Sequence, residues 1–77
     1  MAIAFKKPFT PETQALKDSV DLSDKASEEI PCQQCDAVYL LIYPKPSTPE
    51  QIHRYTQAVH QGMANCDHHP SYMEMPF

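Results

Sequence analysis

A small α+β domain is the fold class this sequence predicts, from three observations. Residues 36–43 are rich in β-branched and aromatic side chains and stop at Pro44, the composition and boundary of a buried strand. From Thr48 the chain reads Thr-Pro-Glu-Gln and then places Ile52, Tyr55, Val59 and Met63 on one helical face, an N-capped amphipathic helix. Around these two elements sit Cys32-Gln33-Gln34-Cys35 and Cys66-Asp67-His68-His69, a pattern that predicts a metal ion stapling strand and helix together. A chain of 77 residues needs such a staple, because a domain this short buries too little apolar surface to be stable with much margin.

Taken in order, residues 1–9 carry Ile3, Phe5 and Phe9 around a Lys-Lys-Pro break and are expected as a tail or an edge strand. Thr10-Pro11-Glu12 is a helix start: Thr caps, Pro suits the first helical position, and Glu complements the dipole. The helix is expected over about 11–20, with Leu16 and Val20 on a narrow apolar stripe. Residues 21–29 are polar, and Ser23-Asp24 suggests a cap for one helical turn through Lys25-Ala26-Ser27. Ile30 leads into the first cysteine pair from a core position. Asp36 follows that pair where a left-handed residue would suit a tight turn.

In the central strand Val38, Leu40 and Ile42 point one way, while Tyr39, Leu41 and Tyr43 point the other. Apolar character on both sides means that both sides need a cover. The C-terminal helix supplies one; the N-terminal segment or a partner must supply the second. At Gly62, the only glycine, the helix either runs on, with Cys66 on the same face as Ile52, or ends near Gln61 and hands Cys66 and His69 to a following loop. His53 and His60 share a solvated flank of that helix. Two methionines near the end, beside histidine, have a copper-like composition that packing explains more cheaply.

The metal chemistry follows from residue type and spacing. Cys-x2-Cys lets a tight turn aim two sulfurs at one centre, and Zn²⁺, with no d-electron geometric preference, suits a tetrahedral set of thiolates and imidazole. Cys66-x2-His69 repeats the first spacing, so His69 is preferred over His68 as the fourth ligand. The expected set is Cys32, Cys35, Cys66 and His69 around one Zn²⁺. Three cysteines cannot all pair within the chain, which argues against a disulfide framework.

The order of knuckle, strand, helix and second ligand pair resembles that of zinc-ribbon and treble-clef domains. The resemblance covers about residues 30–69 and consists of spacing and order alone. It implies one metal-stapled module over residues 10–77, with its metal core at about 30–69 and a structural ion.

Composition narrows function. The formal net charge is −4, and three thiolates holding a divalent ion would only add to it, so the basic face that nucleic acid requires is missing. Seven of the acidic residues fall between positions 12 and 36 against two lysines, either a solvated face or a docking surface for a basic partner. The first residues have the wrong charge order and length for a secretory signal, and no stretch approaches the roughly 20 apolar residues of a membrane span. Free thiols then fit a reducing cytoplasm. No Gly-rich phosphate loop, Gly-x-Ser-x-Gly or His-Glu-x-x-His is present, and Cys35 leads into a strand, unlike the strand-CxxC-helix order of thioredoxins.

The reading is a small cytoplasmic zinc-binding adaptor or regulator rather than an enzyme, acting through protein contacts, either with another protein or with a second copy of itself. The contact surface is expected to combine the acidic region with Tyr39 or Tyr43. The alternative is a metal-handling or thiol-redox protein that uses Cys32, Cys35 and Cys66 chemically.

Overall fold

The computed structural model describes residues 2–75. Six elements follow one another: β1 (Ala2–Lys7), α1 (Pro11–Asp18), β2 (Lys25–Pro31), β3 (Val38–Pro44), α2 (Pro49–Gly62) and β4 (Tyr72–Met75). The four strands form one antiparallel sheet in the order β2-β3-β1-β4, so the fold is a small α+β domain. β1 and β2 run parallel with β3 inserted between them, a split βαβ arrangement.

The first strand is the main departure from expectation. The described part of the segment expected as a tail or an edge strand is neither: β1 is an inner strand, paired with β3 through Ile3↔Ile42 and with β4 through Ile3↔Glu74. Ala4 and Phe5 are fully buried in consequence. The reason is spatial. Both β3 and the late strand β4 need a neighbour, and only the N-terminal segment is available to stand between them.

Period-2 alternation sorts the two faces of the sheet. On one face Ala2, Ala4, Ile30, Tyr39, Leu41 and Met75 pack against Tyr55, Val59 and Met63 of the α2 segment, which forms the core. The α2 helix starts as its sequence dictates, with Thr48 as N-cap and a capping box closed by Gln51. It ends at Gly62, but no residue of the described chain has a positive φ. Gly62 therefore serves close approach rather than left-handed geometry, since a Cβ there would collide with the Met73 thioether. Met73 and Met75 thus belong to packing.

On the other face Phe5 and Ile42 are fully buried. Val20, just after α1, lines a cavity with Ile3 and Ile42, which places the α1 segment over this side. The helix stops at Asp18, short of residue 20. Its buried contact is Thr13, whose hydroxyl accepts from the Thr10 amide at 2.8 Å, whereas Leu16 stays exposed. The Thr10–Thr13 cap lines a cleft with Lys6, Pro8 and His69.

The helical turn expected at 25–27 is instead the start of β2, which pairs with β3 from Lys25↔Pro44 to Pro31↔Val38. Seven residues of ladder outweigh a single local cap. Tyr39 is fully buried, and Tyr43 packs beside Tyr55 with ring centroids 6.3 Å apart. The expected contact surface therefore loses Tyr39 altogether and keeps only part of Tyr43. No described helix is long and apolar enough to cross a membrane.

Candidate metal centre

The site lies where two loops meet at one end of the sheet. The first loop joins β2 to β3 and is pinched by the Cys32 amide donating to the Ala37 carbonyl at 2.7 Å. This pinch holds Cys32 and Cys35 on the same short turn. The second loop runs from α2 to β4 and carries Cys66 and His69. Its first turn continues the helix, with the Met63 amide donating to the Val59 carbonyl at 3.0 Å, and its end is held by the Lys6 amide donating to Ser71 at 2.9 Å.

Ligand-capable atoms of Cys32, Cys35, Cys66 and His69 all lie within 4.8 Å of one another, so the group could hold a metal ion. The Sγ atoms of Cys32 and Cys66 are 3.8 Å apart. Two sulfurs about 2.3 Å from a tetrahedral zinc would stand about 3.8 Å apart, so this separation is what a shared ion requires. His69 is the imidazole that joins the three thiols. His68 is exposed and belongs to no such group among the described residues.

Groups around the four complete the site, and sequence reasoning did not find them. His69 Nε2 lies 3.1 Å from the Met63 carbonyl, a contact that restrains the orientation of the imidazole. Tyr39 meets the same ring edge-on, with centroids 6.2 Å apart, and its hydroxyl donates to the Pro70 carbonyl. Cys66 reaches the Gln34 side-chain oxygen at 3.7 Å. Nothing in spacing marks a main-chain carbonyl such as that of Met63. The sequence marks Tyr39 as a strand residue and a candidate contact residue, not as a neighbour of His69.

Sulfur protonation is uneven across the cluster. The Gln34 backbone amide beside Cys32 holds its thiol below the ordinary 9.0, against the effect of burial. Cys66 is pushed up to about 12, first by its hydrogen bond with Cys35, then by burial and by Cys32. Either sulfur can be the donor in the contact between Cys32 and Cys66. Metal binding would displace such protons, because thiolate is the ligand form.

His60 lies beside Cys32 in a small cleft with Gln33 and Gln34, while His53 is exposed. Asp36 is exposed and its turn contains no left-handed residue. The chain matches no protein-family model, and comparison with curated proteins and with solved structures finds no match.

Proposed function

We propose that the chain is a small zinc-binding domain in which Cys32, Cys35, Cys66 and His69 hold one structural Zn²⁺ and the protein acts through contacts with another protein. The observation that carries the zinc reading is the convergence of three thiols and one imidazole within 4.8 Å. Such a donor set favours zinc over hard cations, which prefer oxygen. Four protein ligands fill a tetrahedron, so a closed site of this kind has no position for substrate. The likeness in order to zinc-ribbon and treble-clef domains fits a structural ion within residues 30–69, to which β1 and β4 add the other half of the sheet.

Contact with a partner is supported by what the fold leaves outside. Leu16 and Leu22 are exposed, and the segment that carries them also carries the exposed Asp18, Asp21 and Asp24. Apolar side chains within a negative rim suit a basic partner. Like charge works against a second copy of the chain as that partner.

Native mass spectrometry of the purified protein tests the first half, with one zinc per chain expected. A different metal, or none, refutes it. For the second half, a partner captured by the wild-type protein should be lost by a Leu16→Glu, Leu22→Glu variant that still folds and binds zinc. Equal capture would remove this surface from the reading.

The exposure of Cys35 and Cys66 favours a second reading, in which the site hands metal on. A carrier yields zinc quickly to a competing chelator, whereas a structural site retains it through dialysis.

A further inference from the structure

Cys32 and Cys66 come from different loops, 34 positions apart, yet their sulfurs are 3.8 Å from each other. Cys66 is exposed, and Cys32 lines a cleft of about 150 Å³ with Gln33, Gln34 and His60. The two sulfurs are therefore both adjacent and reachable by a small co-reactant. A pair of sulfurs in one disulfide can no longer serve as two thiolate ligands, so disulfide and metal compete for the same atoms.

We propose that Cys32 and Cys66 form a reversible dithiol–disulfide couple, which a low-molecular-weight disulfide oxidises with release of the metal. The release rests on the zinc reading above; the couple itself rests on sulfur geometry alone. In the first step the Cys32 thiolate attacks one sulfur of the small disulfide, forming a mixed disulfide and expelling one small thiolate. In the second, the Cys66 thiolate attacks the Cys32 sulfur, forming the Cys32–Cys66 bond and expelling the other small thiolate. The two protein thiolates lose two electrons and the small disulfide gains them. The ion, once it has dissociated to expose the pair, cannot rebind, because only Cys35 and His69 remain to hold it. Cys35 is then left as an accessible free thiol.

Oxidised glutathione is the probe, applied to the full chain loaded with zinc and to the same protein after chelation. Peptide mapping should find Cys32 linked to Cys66 and Cys35 open to alkylation, with one zinc released per disulfide and full reversal by dithiothreitol. Zinc at a hundredfold above its Kd should slow the oxidation about a hundredfold, because only the metal-free fraction reacts. The Cys35→Ser variant should still form the bond. A Cys32–Cys35 link, bonds only between chains, or thiols that stay reduced in both preparations would overturn the couple. The two proposals fail separately. A chain that binds no zinc but forms the Cys32–Cys66 bond removes the zinc reading and supports the couple; one that holds zinc and forms no such bond in either preparation does the reverse.

Discussion

The Tyr39 hydroxyl donates to the carbonyl of Pro70, joining the middle of the sheet to the residue that follows His69. Tyr39 is wholly buried, and its ring also meets the His69 imidazole edge-on. One side chain thus supports both the core and the orientation of a candidate ligand. Tyr39→Phe keeps the ring and removes the hydrogen bond, so it should cost about 1 kcal/mol in urea unfolding. It should also weaken zinc retention, because the loop carrying His69 loses an anchor. An unchanged midpoint and unchanged retention would show the bond to be idle.

The same phenol sets an alkaline limit. Burial first, and then the neighbouring Cys32, push Tyr39 up to about 12 from the ordinary 10.0. Between these values the unfolded chain gives up the phenol proton while the folded chain keeps it, so the unfolded state binds fewer protons and stability falls as pH rises from 10 to 12. The contribution is fully present below pH 10. In Tyr39→Phe this part of the alkaline slope should vanish, which a series of thermal melts across that range would read. A slope identical in the two proteins would assign the loss to other groups.

The two histidines at the second half-site should behave differently. His69→Ala removes one of four converging donors and should lower zinc affinity by more than about a hundredfold, beyond what the loss of an outer contact typically costs. His68→Ala should leave affinity near wild type. Competition with a chromophoric chelator measures both, and a larger effect at His68 would move the ligand assignment.

Gly62 and Met73 should show energetic coupling. Alanine is the better helix former by about 1 kcal/mol, yet a Cβ at position 62 meets the Met73 thioether, which must swing aside. Gly62→Ala should therefore gain little or lose stability in the wild type, and gain about 0.5–1 kcal/mol in a Met73→Ala background. A double-mutant cycle measures the difference. Additive effects would mean that Met73 finds an equally good position at no cost.

Much of the central architecture was legible from local pattern. Pro44 and the β-branched run mark β3, the Thr-Pro-Glu-Gln start marks α2, and Ile30 reads correctly as the core residue before the knuckle. These signals are local, so local rules find them. What stayed hidden depends on pairing partners distant in sequence. β1 is short and ends in Lys6 and Lys7 before Pro8, and it becomes central only because β3 and β4 flank it. β4 has four residues and a methionine-rich composition with weak strand character. The four residues that lie together are the ones that spacing picks out, the choice of His69 over His68 included. The Met63 carbonyl and the Tyr39 ring were not visible, since their roles come from the path of the loops.

The inner position of β1 also sets an order of assembly. The β2–β3 ladder needs only a short turn to close, whereas β1 must find β3 across 31 to 39 positions before β4 can dock on β1. Closing a longer loop costs more chain entropy, so the hairpin and α2 should organise before the sheet does. All four candidate ligands lie on loops bordering these early elements, outside β1 and β4. Zinc added before refolding should therefore accelerate the first phase, leaving the arrival of β1 as the slow step. Core substitutions in β1, such as Phe5→Leu, would raise the unfolding rate and leave that early phase unchanged.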